Sequence, residues 1–140
     1  MQNPRWEIKD QLARSSRPGY PCTSVGIAEV DDWINDVKTL GIRSIICLLS
    51  DEQLEYYDSL PGGLLDYYRS QGFEVESVKI PDPAEDIRGY DVLKNSLKMI
   101  NRKYQELTKP VLIHCSAGID RTGTAVEYIT SVKKTNAETR

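Results

Sequence analysis

The chain has 140 residues, with 18 basic against 21 acidic side chains and one histidine, a formal charge of -3 and a pI near 5.2. With no positive excess to draw in a phosphate backbone, nucleic-acid binding is excluded as the main activity. No apolar run approaches the length of a membrane span, and the N-terminal MQNPRWEIKDQ lacks the apolar stretch of a secretory signal, so the cytoplasm is the expected compartment.

The length is that of one domain with one core, expected over residues 1–140. RWEI and LARS near the N-terminus are candidates for short strands at a sheet edge. VDDWINDVKTL sets Val30, Trp33, Ile34, Val37 and Leu40 at helical spacing, with Gly41 where a left-handed cap belongs. SIICLL, residues 44–49, is apolar after its first position, as in a strand buried on both faces. Its Cys47 packs as a small hydrophobe. SDEQLEYYDSL and LLDYYRSQG predict short helices separated by PGG, with Tyr56, Tyr57, Tyr67 and Tyr68 as packing or solvent-facing rings. EVESVKI, residues 74–80, alternates like a strand. A long amphipathic helix follows through Leu93, Leu97, Ile100, Tyr104 and Leu107, ended by Pro110, and then the short buried strand VLIH. A last helix runs from Arg121 through Ala125, Val126, Ile129 and Val132.

This order predicts an α/β fold: a single domain with a central, mostly parallel sheet flanked by helices and joined by right-handed crossovers. In such sheets ligands bind at the carboxyl ends of the strands, where the loops after Leu49, Ile80 and His114 converge.

The third of these loops carries the chemistry. In HCSAGIDRTG the members Ser116, Ala117 and Gly118 are small, so the backbone can turn tightly and aim consecutive N–H groups into one concavity. Ile119 and Asp120 complete the loop, the following helix adds its positive end, and Arg121 can hold two oxygens at once. The expected guest is a tetrahedral oxyanion, phosphate first. Cys115 lies at the mouth of this cup, where a thiolate is favoured without a partner base. His114 is its neighbour on a strand, so the two side chains take opposite faces and the histidine bonds backbone around the loop or simply fills the core. Thr122 either donates to the sulfur or caps the last helix. Cysteines odd in number and far apart fit neither a disulfide framework nor a zinc site, and no metal or other cofactor is expected.

At these residues the chain resembles the cysteine-dependent protein tyrosine and dual-specificity phosphatases, whose signature H-C-x-x-G-x-x-R-[ST]-G it carries with Cys115 as nucleophile and Arg121 as phosphate ligand. LARSSRPG and VKIPDP look like segments of the compact dual-specificity members. The resemblance implies one such catalytic domain over residues 1–140, with a C-terminal end shorter than is usual. It implies hydrolysis of a phosphomonoester through a phosphocysteine. The substrate would be a phosphorylated protein or peptide, with a phosphoinositide or other non-protein ester as the alternative, and a weakly active phosphate-binding module as another. The short tail raises the option of a homodimer besides a monomer.

Such a mechanism needs an acid. Asp82 leads, because it follows the strand ending at Ile80, is flanked by Pro81 and Pro83, and falls in an I-P-D segment like that of the compact members. Asp86 is the alternative, then Asp120; Glu85 lies nearby, and Asp51 reads as a helix N-terminal residue. Asp120 stands where the family commonly has glycine. A carboxylate beside a phosphate cup opposes anion binding unless it faces outward, so it is expected either to face out or to select substrate at the entrance. A disulfide between Cys115 and Cys22 or Cys47 is a further option that nothing in the sequence brings within reach.

Overall fold

In the computed structural model, which describes residues 3–138, five short strands form one sheet in the order β1-β2-β5-β3-β4. They are β1 (Arg5–Ile8), β2 (Leu12–Ser15), β3 (Ser44–Cys47), β4 (Glu74–Ser77) and β5 (Val111–His114). Only β1 runs antiparallel to its neighbour; β2, β5, β3 and β4 are parallel. VLIH is therefore central, and LARS, expected at an edge, lies one strand inside it with RWEI as the edge.

The helices are α1 (Ile27–Thr39), α2 (Asp51–Leu54), α3 (Gly63–Ser70), α4 (Arg88–Glu106) and α5 (Asp120–Glu138). A single 3₁₀ turn over Glu55–Tyr57 continues α2, so the segment predicted as one short helix is two tighter pieces. Val30, Trp33, Ile34 and Val37 of α1 pack with Leu64 and Tyr68 of α3 against one sheet face. On the other face, Leu93, Ile100 and Tyr104 of α4 and Ala125, Val126 and Ile129 of α5 cover Leu12, Ile46, Val111 and Ile113. Each of those four sheet residues is fully buried, so the sheet is covered here rather than bare. Among the described residues no helix is long and apolar enough to cross a membrane.

The two strands expected to reach Leu49 and Ile80 stop at Cys47 and Ser77. Leu48 still donates to His114 O, and Val78 to Cys47 O. Beyond that point the carbonyls of Leu48 and Ile80 accept from the Arg121 guanidinium instead of from a neighbouring strand. The sheet's carboxyl edge is thus finished by the arginine of the loop.

Candidate active site

The loop between β5 and α5 is shaped by where its carbonyls go. Cys115 O faces His114 Nδ1 at 3.1 Å. Ser116 O accepts from Arg17 N at 2.9 Å, and Ile119 O from Gly123 N at 2.8 Å. Gly118 O accepts from Arg14 Nη2 at 2.7 Å. Four carbonyls are pinned outward by groups outside the concavity. Among the described residues the N–H groups of Ser116 to Ile119 donate to no protein acceptor, which leaves them available to an anion. Gly118 makes the turn possible: its φ is +77°, and a Cβ there would stand 2.6 Å from the Ser15 carbonyl group.

Behind the loop lies a buried polar layer. Tyr68 and His114 are fully buried, and the Tyr68 hydroxyl lies 2.9 Å from His114 Nε2. A carbonyl can only accept, so the histidine proton sits on Nδ1, and Nε2 accepts from Tyr68 O–H. Burial pulls the His114 pKa down to about 4, and the charges of Arg121 and Arg17 work in the same direction. The ring is neutral and holds backbone; it does not face the thiol as a base. Trp33 stacks on Tyr68, and its indole N–H reaches Ser16 O at 3.0 Å.

Arg17 is also buried. Its Nε donates to Ser116 Oγ at 3.0 Å and Nη1 to Tyr57 O–H at 3.3 Å, while the Tyr57 hydroxyl donates to Pro18 O at 2.6 Å. The guanidinium lies over the rings of Tyr20 and Tyr56. Among the described residues it has no carboxylate partner. It therefore leaves a positive charge beneath the loop, uncancelled by any ion pair.

Arg121 is 1% exposed. Its Nη1 donates to Ile80 O at 2.9 Å, Gln53 Oε1 at 2.9 Å and Leu48 O at 3.2 Å, and Nη2 pairs with Asp82 Oδ2 at 3.2 Å. Asp82 also takes Gln53 Nε2 on Oδ2 at 2.9 Å and Ala84 N on Oδ1 at 3.0 Å. Its carbonyl closes the turn by accepting from Glu85 N and Asp86 N. The structure thus brings Asp82 to the arginine of the loop. Asp86 turns away to Arg88, at 2.6 Å, and the hydrogen bonds of that pair hold its carboxyl below the usual range. Gly89 lets the start of α4 sit against this segment, since a Cβ there would lie 2.2 Å from Pro81 O.

Asp120 is exposed at the first position of α5 and lines a surface groove with Pro83, Tyr90, Ile119 and Glu127. Thr122 Oγ1 is buried without a hydrogen-bond partner among the described residues, so it caps nothing. Cys115 is 2% exposed and packs with Ile46, Leu48 and Ile113 on the α4–α5 side, while Cys47 packs on the α1–α3 side. The sheet stands between the two thiols, and burial pushes that of Cys47 up to about 12. Cys22 is exposed.

Gln53, Arg14 and Arg17 were not singled out by the sequence, and Tyr57 and Tyr68 were read only as packing or solvent-facing rings; both are fully buried. For Gln53 a signal existed: Ser50 and Gln53 are spaced as a capping box, and the structure forms it, fixing Gln53 directly after the strand end that faces the loop.

The site is thus a loop with outward carbonyls and a buried cysteine, set between a central strand and a helix of an α/β sheet. Residues 79–140, which hold both Asp82 and the loop, match the model of the protein-tyrosine phosphatase family. In architecture the chain is similar to a solved kinase-associated phosphatase whose catalytic-site cysteine was replaced by serine. The TM-score is 0.53 and the identity 19%, over 84% of this chain and 65% of that one. It is also similar to Tk-PTP in its active form, at 22% identity and a TM-score of 0.49, over 94% of this chain and 83% of that one. The present chain thus spans about 65% of the length of the kinase-associated phosphatase chain. No curated protein matches the sequence.

Proposed function

We propose that the chain is a cysteine-based phosphatase that hydrolyses phosphate monoesters on proteins, of the dual-specificity type, through a phosphocysteine. The observation that carries this reading is the loop whose four carbonyls are tied outward, with Cys115 at its base and Arg121 built into its rim. The Cys115 thiolate attacks phosphorus in line, and the ester P–O bond breaks as Asp82 gives its proton to the leaving oxygen. Water then attacks the phosphocysteine, Asp82 takes its proton, and the S–P bond breaks to release inorganic phosphate and thiolate. Loop N–H groups and the Arg121 fork stabilise the equatorial oxygens in both steps. Thr122, with its free hydroxyl, serves the departing sulfur, and His114 and Arg17 hold the loop from behind.

Two features favour a protein ester over a polyphosphorylated lipid. Lys79 and Arg88, the basic residues of the flanking loops, are already paired with Asp51 and Asp86. Asp120 and Glu127 line one exposed groove without an ion-pair partner among the described residues, against a single unpaired base there, Lys134. A headgroup with several phosphates meets a negative rim.

The test is turnover of phosphotyrosine, phosphoserine and phosphothreonine peptides beside a phosphoinositide panel. Peptide turnover is expected to vanish in Cys115→Ser and to survive chelators, with phosphoinositides slower. Phosphate binding without turnover would leave only a binding module, and faster phosphoinositide turnover would reassign the substrate.

A further inference from the structure

Arg121 and Asp82 must do different things at the same moment: the arginine holds the phosphate while the aspartate parts with a proton. Between them stands Gln53, 2% exposed. Its Oε1 takes Arg121 Nη1 at 2.9 Å and its Nε2 reaches Asp82 Oδ2 at 2.9 Å. The orientation of the amide is fixed by chemistry. A guanidinium only donates, and Ser50 N, 3.4 Å from the same Oε1, also only donates, so the oxygen must face them and the NH2 group must face Asp82. In this setting Asp82 Oδ2 accepts from two donors and Oδ1 from Ala84 N. Three donors and no acceptor surround the carboxyl group.

We propose that Gln53 is a positioning residue that ties Arg121 and Asp82 into one unit and sets the pH at which Asp82 can act as the acid. The proposal rests on the roles given above to Arg121 and Asp82. Gln53 Nε2 and Arg121 Nη2 meet on the same oxygen, Asp82 Oδ2. A phosphate dianion competes for Nη2, while Nη1 stays fixed by Gln53, Leu48 O and Ile80 O. Asp82 then loses its charged partner, its proton affinity rises, and it faces the leaving oxygen as an acid only when substrate is present. Gln53 remains as the single side-chain donor that opposes protonation, which places it in control of the alkaline limit of the reaction.

The experiment measures kcat/KM against pH for an alkyl-leaving-group phosphate in the wild type, Gln53→Met and Gln53→Glu. In parallel, the Asp82 carboxyl is titrated by NMR in a Cys115→Ser background, with Asp82→Asn identifying the signal. Removal of the amide donor in Gln53→Met is expected to move the alkaline limb and the Asp82 titration upward together. The like charge in Gln53→Glu should move both further, by roughly one pH unit or more. Met and Glu match the length of Gln, so a variant that fails to fold leaves the other to report. An unchanged limb and titration in a folded variant, with activity merely scaled down, would overturn the coupling and leave Gln53 a packing residue. A shifted titration in a protein whose wild type turns over no phosphate ester would uphold the coupling and overturn the proposed function instead.

Discussion

Behind the phosphate loop, Arg17, Tyr57, Tyr68 and His114 are buried and bond one another's surroundings or the loop itself. In front of it, residues 82–88 form a turn held by Ala84, Glu85 and Asp86 N–H groups on Asp82 and by an exposed ion pair between Asp86 and Arg88. The rear wall is over-determined, because each polar group in it would be left without water if its partner were lost. The front wall is held by bonds that water can replace, each worth little on balance. In the proposed mechanism such a site keeps Cys115 and the loop fixed and leaves Asp82 free to change partners as substrate enters. The two walls therefore answer mutation differently, the front in rate and the rear in stability.

The largest effect is expected at the front. Asp82→Asn should lower kcat by roughly 10²–10⁴-fold for esters with poor leaving groups, and far less for an activated aryl phosphate that needs little protonation. The folded state should lose only about 1 kcal/mol, since the amide oxygen can keep the Gln53 and Arg121 donors and only the exposed bond from Ala84 N is given up. Steady-state kinetics over a leaving-group series, with a thermal melt, checks both halves. A uniform loss across the series would move the acid to Asp86 or Asp120.

Gly118→Ala is the matching change at the rear. A Cβ there meets the Ser15 carbonyl at a φ of +77°, and the loop cannot relax without releasing its outward bonds. A loss of about 3 kcal/mol in denaturant unfolding is expected, together with loss of vanadate or phosphate binding. Full stability in this variant would mean that the loop has an alternative path.

The rear wall also predicts a pH dependence of stability. The His114 pKa is about 4 when folded and 6.5 in its ordinary state, so between those values the unfolded chain binds a proton that the native one refuses. Stability is complete above about pH 6.5, falls as pH drops toward 4, and levels off below, for a total on the order of 3 kcal/mol. Tyr68→Phe should cost about 1–2 kcal/mol at neutral pH by stripping His114 Nε2 of its donor. Chemical unfolding at a series of pH values tests this, and a His114→Gln variant with the same slope as wild type would place the titration elsewhere.

What the sequence made legible follows the same division. Element type and order could be read because burial imposes a period: continuous in SIIC and VLIH, helical in α1 and α4. That Cys115, Arg121 and Asp82 come to one sheet edge could be read because a loop between strand and helix, and a strand end at the same edge, are local facts of the chain. The ends of β3 and β4 could not, because what stops them is the Arg121 side chain arriving from far along the sequence to take the Leu48 and Ile80 carbonyls. Arg17, Tyr57 and Tyr68 belong to the same class. A buried guanidinium between tyrosines looks in sequence like any surface arginine and a helical ring, and only the packing of α1 and α3 on the sheet makes one layer of them. Asp120 reads in sequence either as facing outward or as selecting substrate at the entrance; in the structure it is exposed and lines a surface groove with Pro83 and Ile119.

The smallest effect separates the walls most sharply, because it changes no group that touches phosphate. Gly89 opens the first turn of α4 against the acid segment, and an added Cβ would sit 2.2 Å from Pro81 O and 3.0 Å from Pro83 N. Backbone stands on both sides, so Gly89→Ala must push the 81–83 segment and α4 apart. The Asp82 carboxylate shifts with it, away from Gln53 and Arg121, while the loop and its rear wall are untouched. The expected result is a kcat reduced roughly tenfold by misplacement of the acid, an unchanged dissociation constant for vanadate, and a stability change of only about 1 kcal/mol. Because a misplaced acid matters least where protonation matters least, the loss should shrink for activated aryl phosphates. Equal losses for activated and unactivated esters, or a weakened vanadate complex, would show that α4 supports the loop as well, and that the front and rear of the site are one mechanical unit.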